Sequence, residues 1–449
     1  MIKLSLIEEK QSVFYLPVRY KRDGLQSISF GACTHFCTID FLPHLEDEAM
    51  ISTSLFHKLN IPFCQSIHLF FTDDTIHIGP LIGIFSAGFT GSKLRPIGQR
   101  SIFFSKLLAA AKSTGGYAFL FGAHHINWEL GTIKGYFYTG DGWIQKEIPL
   151  PDVVYDRLPN RRTENHDLFT QVKARLQSEY LIPWYNPGFF NKWDIYQQLQ
   201  ENTSTKPFLP ETYQSPSADL IGSLLEKHHG IFFKPMNGSL GKGIFEVTYS
   251  PSSESYHCRY HDGEKNIMRQ FSHLPVLLSH IFQEQSRNDY IVQQRIPLIH
   301  FQDRPLDFRV HTNKNEHSDW QVTAMAAKVA GKGSITTHLN NGGMIKTIEE
   351  IFPSAERCHE IKKQLEHISL LISEAIEQGT DGFIGEIGFD FGVDTNGKVW
   401  LFEANSKPGR SIFTHPKLFE HDKLTRELPL AYGIYLAGKS ILDPEGLYA

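Results

Sequence analysis

Apolar and polar residues alternate along much of this chain, and in a few places the period lengthens to that of a helix. Residues 1–75 carry short alternating runs broken by one helical stretch at 52–59, which predicts a small β-rich unit. Between residues 77 and 155 apolar strands surround "SIFFSKLLAAAKSTGG", a helix closed by Gly115 and Gly116. Residues 217–229 read as a helix with Ser217 at its N-cap and Gly230 just past its end, leading straight into the apolar run 231–233. Residues 361–378 place Leu365, Ile368, Ile372 and Ile376 at helical spacing before Gly379, and these four are expected in the core.

The run "GFDFGVDTNGKVWLFEANSKPGR" from Gly388 alternates around Asn396-Gly397, the strongest short-range hairpin signal, because both central residues of the favoured turn need positive φ. A two-residue loop there places Asp390 directly opposite Glu403, and Asn405 opposite Gly388, which has no side chain to block a ligand. Opposed carboxylates destabilise a sheet unless a cation lies between them, and Asp, Glu and Asn are hard oxygen donors of the kind Mg2+ accepts. The residues equally allow a solvated hairpin face with scattered acids. A three-residue loop with Gly397 left-handed would shift the register.

A second segment, "GIFFKPMNGSLGKGIFEVTYS" from Gly230, holds Gly238, Gly241 and Gly243 between two strand-like runs. The order GxxGxG matches neither the dinucleotide fingerprint nor a Walker A loop. A glycine loop joining two strands can fold over a triphosphate and offer backbone N–H groups. Lys234, inside the apolar run, is costly there unless it meets an anion; a flexible hairpin with a snorkelling lysine is the plain alternative.

Composition narrows the picture. The 449 residues suggest two or three domains, and 41% hydrophobic residues suffice for buried cores. A formal charge of −5 with no dense Lys/Arg run argues against a nucleic-acid-binding surface. With no apolar opening stretch and nothing near the ~18 apolar residues of a membrane span, the expectation is a cytoplasmic protein that engages no membrane. Five cysteines fit reduced thiols, and Cys33-x-His35-x-Cys37 lacks the second pair that a zinc site needs. The pairs His124-His125 and His228-His229 read as ordinary loop or helix-end histidines.

The two segments, in this order and about 150 residues apart, resemble the ATP-grasp superfamily. The resemblance runs from about residue 185 to 412. "NKWDIYQQLQENTSTKPFLPET" is similar to the family's nucleotide-binding lysine, here Lys192, on a helix before the first lobe. "YIVQQRI" resembles the hinge strand whose backbone meets adenine, "DFRV" the strand whose arginine, Arg309, reaches the transferred phosphate, and "EANSKPG" the family's Glu-x-Asn ending. Further stretches, "AMISTSLFHKLNIP", "HIGPLIGIF" and "LPDVVYDRLPNRR", look like the YheC/YheD branch of endospore coat-associated ATP-grasp proteins. Two positions depart from that branch: Lys328 stands where the pattern has arginine, and His338 where it has asparagine. Lys328 keeps the charge but loses the planar fork that suits phosphate.

The resemblance implies an α/β (α+β) ATP-grasp fold of two α+β lobes, about 205–290 and 291–449 within a domain at 166–449. A small β-rich domain at 1–75 and an α/β pre-ATP-grasp domain at 76–165 would precede it. It implies nucleotide contacts from Lys192, Lys234, Gly238, Ser239, Gly241, Gly243, Gln293, Gln294, Arg295 and Ile296. Asp390, Glu403 and Asn405 would hold one or two Mg2+ ions, and Arg309, Lys328 and Asn405 would serve the transferred phosphate. The expected activity is an ATP- and Mg2+-dependent carboxylate–amine (or thiol) ligase working through an acylphosphate, with an association with the endospore coat. Two alternatives stand beside it: a non-catalytic ATP-binding coat component, and a phosphotransferase using His311 or His338 as base. Arg410, after the metal strand, reads as a surface arginine before it reads as a ligand for an acidic acceptor.

Overall fold

The computed structural model describes residues 1–236, 243–263, 265–282, 286–334, 337 and 342–448. Its strands form four sheets in succession along the chain. The first holds eight strands between Ile2 and Gly79, with Ile2–Ile7 in its interior and one helix, Thr53–Lys58, capped by the Ser52 hydroxyl. The second sheet is built on Leu81–Phe85, flanked in parallel by Tyr117–Phe121 and Val153–Asp156, with Trp184–Tyr185 beyond. Helix Ser101–Thr114 belongs to this part and ends at Gly115, which takes the left-handed conformation at φ +80°. Buried side chains of the first two sheets, from Ile2 and Phe30 to Phe119 and Trp184, form one continuous core.

The third sheet is antiparallel, in the order Thr212–Gln214, Tyr290–Gln294, Gly230–Pro235, Phe245–Ser250, Ser255–Asp262, Lys265–Phe271. Helix Ala218–His228 starts where the Ser217 hydroxyl accepts the Leu220 N–H, as the sequence suggests. The residue that turns left-handed at its end is His229, at φ +57°, one position before the expected Gly230, which is already the first residue of the strand. The fourth sheet centres on Arg304–Lys314, paired with Trp320–Val329 on one side and Glu386–Val393 on the other, with Val399–Asn405 next to it. The chain is therefore a mixed α/β protein of several sheets.

The period of two divides the fourth sheet's faces. Leu306, Phe308, Val310, Ile387, Phe389 and Phe391 point to one side, where Leu365, Ile368, Ile372 and Ile376 of helix Ala355–Gln378 cover them. That helix begins six residues before the periodic stretch, at an N-cap hydroxyl from Ser354, because its first turns are polar and carry no apolar signal. Asp307, Arg309, His311, Gly388 and Asp390 necessarily point to the other side. That face holds the expected site residues Arg309 and Asp390.

Candidate functional site

The hairpin reaches the expected register by an unexpected route. Its loop has three residues, 395–397, closed by Asp394 N–H to Lys398 O and Gly397 N–H to Asp394 O, both 2.9 Å, with Gly397 at φ +87°. This loop alone would slide the strands by one residue, and Val393 does face Val399. A bulge at Phe402 slides them back, so that Asp390 faces Glu403 and Asn405 faces Gly388. The bulge also leaves the Phe402 ring 5.5 Å from the Lys234 ammonium, which joins the hairpin to the third sheet.

A cavity of about 520 Å³ opens at this junction. Lys192, Lys234, Gln293, Gln294, Arg295, Ile296, Lys328, Asp390 and Glu403, all expected site residues, line it together with Asp307. Lys192, the first residue of a helix capped by Asn191, lies 3.4 Å from Glu403. Burial brings the Lys234 ammonium down to about 8, against the pull of Glu403. It donates to Gln293 Oε1, while Gln293 Nε2 donates to Thr212 Oγ1 at 3.0 Å, so this amide positions the lysine. Gln294 and Arg295 are tied by their backbone N–H groups to Glu211 O and Gly230 O, and the Arg295 guanidinium meets Glu246, which Arg259 also approaches.

Behind the cavity wall, Arg309 grips Asp390 with two bonds of 2.9 Å from Nε and Nη2. Lys328 Nζ sits 2.7 Å from Asp390 and 3.0 Å from Asp307. Burial alone would push the Asp390 carboxyl up, but Arg309 and Lys328 outweigh it and hold it well below the usual range. Burial, with Asp390 adding to it, raises Asp307 against the effect of Lys328. The Thr337 hydroxyl donates to Asp307. Lys328 thus supplies the point charge shared by two carboxylates, a role open to an ammonium despite the fork it lacks.

Arg309 and Asn405 are set one step along the strands from the residues that line the cavity. Gly388, expected to leave open space opposite Asn405, does not: a Cβ there would overlap Pro408 and lie 3.1 Å from Arg309 Nη1. Gly243 is in place at φ +71° beside Pro235. Gly238, Ser239, Gly241 and His338 lie outside the described residues. Cys33 and Cys37 are free, half-buried thiols. His228 is a helix-end residue 2.7 Å from Glu211, and His125 accepts the Gly122 N–H.

Among the described residues no group of three or more His, Cys, Asp or Glu is gathered for a metal. The expected oxygen donors on the face are the Asp390 and Glu403 carboxylates and the Asn405 amide, with a third carboxylate, Asp307, beside them on Lys328. That set fits a hard divalent cation whose remaining positions are filled by water and phosphate oxygens, as Mg2+ prefers, and does not fit a resident structural ion.

Sequence reasoning missed Asp307, Asn186 and Arg157. Asp307 could have been found, since it precedes Arg309 by the strand period. Asn186 is fully buried at φ +53°; its Nδ2 donates to Glu386 O (2.8 Å) and Ser406 O (2.6 Å), and its Oδ1 accepts from Gly385 and Glu386 N–H (2.9 and 3.2 Å). It ties together the outer ends of both hairpin strands. Arg410 is no surface residue: it is 15% exposed and bound to Asp422.

A family model described as YheC/D like ATP-grasp matches residues 181–436. The Endospore coat-associated protein YheD of Bacillus subtilis (strain 168) is 44% identical over 445 residues, covering 99% of this chain and 98% of that protein. YheC of the same organism is 24% identical over 284 residues, 61% of this chain and 75% of its own length. Among solved structures, D-alanyl-alanine synthetase A from Vibrio cholerae aligns over 81% of this chain and 98% of its own, at 13% identity and a TM-score of 0.45.

Proposed function

Since the chain belongs to the YheC/D-like ATP-grasp family, we propose that it is an ATP- and Mg2+-dependent ligase joining a carboxylate to an amine or thiol through an acylphosphate. One observation carries this reading: Lys192, Lys234 and Lys328 converge with the paired Asp390 and Glu403 on one cavity of about 520 Å³. The cations neutralise phosphoryl charge, which suits catalysis by positioning and electrostatics.

A substrate carboxylate oxygen would attack the γ-phosphorus, the bond to the β-bridging oxygen would break, and ADP would leave. The amine nitrogen would then attack the acyl carbon, lose a proton and expel phosphate, leaving an amide. Lys234, held by Gln293, binds phosphate charge. Arg309 and Lys328, which pair with Asp390, would offset charge on the transferred group. Asp390, Glu403 and Asn405 would hold Mg2+, which when bound offsets the charge of the β- and γ-phosphates.

The relative at 44% identity is named as an endospore coat-associated protein, and we extend that association to this chain. No helix among the described residues is long and apolar enough to cross a membrane. The phosphotransferase alternative would need as base either His311, 1% exposed with the Phe413 ring 5.4 Å away, or His338, which lies outside the described residues.

The test is Mg2+-dependent ADP release, alone and with pooled amino acids and cell-wall peptides, beside Asp390→Ala and Glu403→Ala. Stimulation by one pool, with formation of an amide or thioester and loss in both variants, supports the ligase. A phosphoester product instead would establish the phosphotransferase. ATP binding that both substitutions weaken, with no pool yielding ADP above background, would establish the non-catalytic coat component.

A further inference from the structure

Among the buried nitrogen atoms on and beside the face of Arg309 and Asp390 that have no hydrogen-bond partner are Arg309 Nη1, His311 Nε2, Arg410 Nε and Arg426 Nε. The residues that own them form one connected group. Arg157 and Arg410 approach the same ring, that of Phe103, at 5.1 and 5.9 Å from its centroid. Arg410 also lies 4.8 Å from the Phe413 ring, whose other neighbour is His311, and His311 is one strand period from Arg309. Residues of the second sheet and its helix thereby close over the inner end of the fourth sheet.

The charges in this group do not balance. Asp422 answers both Arg410 and Arg426, and Glu386 answers Arg157, so three guanidinium groups face two carboxylates. The four arginine side chains are 11–15% exposed. Buried cations in excess, with donor atoms unused, are costly unless an anion completes them. A planar carboxylate suits the guanidinium fork.

We propose that this basin binds a carboxylate of the substrate, and that the substrate is a dicarboxylic acid. One carboxylate is held by Arg157 and Arg410, with His311 Nε2 beside it, and the other lies at Arg309 Nη1, next to Asp390, where it reacts. The inference rests on the ligase reading for the second carboxylate, while the basin itself needs only an anion. It also gives the part of the chain ahead of the grasp a role, since Phe103 and Arg157 come from there and set specificity.

The experiment measures thermal stabilisation of the full chain at low ionic strength by L-glutamate and succinate. L-Glutamine, propionate and inorganic phosphate serve as comparisons, and Arg410→Gln, Arg410→Lys and Arg157→Gln as variants. The double variant Arg157→Gln/Glu386→Gln covers the case in which stranding Glu386 unfolds the protein. Dicarboxylates should stabilise more than the mono-acids, with affinity lowered about tenfold or more in the glutamine variants and partly kept in Arg410→Lys. Equal shifts with all anions, a shift by phosphate alone, no shift at all, or shifts unchanged in every variant would overturn the proposal. If dicarboxylates bind but no amine ever yields ADP, the ligase reading fails and the basin stands. If ADP release is stimulated only by mono-acids, the basin's role fails and the ligase reading stands.

Discussion

Asn186 offers the sharpest test of how the site is held. It makes four hydrogen bonds, to Glu386 O, Ser406 O, Gly385 N–H and Glu386 N–H, and is fully buried. Asn186→Ala removes all four and leaves backbone groups without partners in a place water does not reach. At about 1 kcal/mol net for each bond the loss is about 4 kcal/mol. An alanine at φ +53° adds roughly 1 kcal/mol of backbone cost. For a cooperative unit of some 250 residues, roughly 2 °C of transition temperature accompany each kcal/mol, so the unit carrying Asn186 should melt about 10 °C lower. The assay is differential scanning calorimetry, paired with Mg2+-dependent ATP affinity, because Ser406 directly follows Asn405. Asn186→Asp keeps the shape and the acceptor but puts a carboxylate oxygen against two carbonyls, so it should be no milder at neutral pH. A shift under about 2 °C in Asn186→Ala, roughly the effect of a single neutral surface change, would refute the reasoning.

Lys234 should make ATP binding pH-dependent. Its ammonium, lowered by burial to about 8, loses its proton in the folded protein while an unfolded lysine keeps it to about 10.4, so between these values its contribution to stability rises with pH. ATP affinity should fall in the same window, at most roughly tenfold per unit, and titration calorimetry should find the fall absent in Lys234→Arg; a flat wild-type profile would sink the idea. Lys328→Met leaves Asp307 and Asp390 facing each other without their shared cation and should cost about 3–5 kcal/mol, most of it recovered by adding Asp307→Asn, as read by thermal melting. Gly388→Ala forces Pro408 and Arg309 aside and should reduce Mg2+-dependent ADP release by about a hundredfold while ATP binding changes far less; normal turnover would show that Arg309 need not stay where it is.

The fourth sheet was legible because its two faces do different work. Alternation along the hairpin put Asp390, Glu403 and Asn405 on one face, and helical spacing marked Leu365, Ile368, Ile372 and Ile376 for the core, while Arg309 was reached only through the family resemblance. What alternation does not carry is contact between segments far apart in the chain. Asn186 and Arg157 are single polar residues in loops or at strand ends, 200 and 229 positions from Glu386, and nothing local marks them. Helix ends were misread for a related reason: His229 turns left-handed where glycine was the default, since the next residue must already pair in the sheet. The hairpin shows a third kind of gap. The loop length was misjudged by one residue, and Asp390 still meets Glu403 because the bulge at Phe402 restores the register.

That compensation says which feature matters. A three-residue loop with a straight ladder would place Asp390 opposite Phe402 and turn Glu403 to the core face. The bulge costs a ladder position, yet it pairs the two carboxylates and swings Phe402 toward Lys234 in one step. Two acids so placed repel, and the protein's own cations answer this: Lys192 at Glu403, Arg309 and Lys328 at Asp390. The same cations are those expected to meet phosphate. On the proposed ligase reading, binding of nucleotide and metal would be an exchange of partners within a set of charges already assembled, so that the fold would not have to bury new charge to accept them.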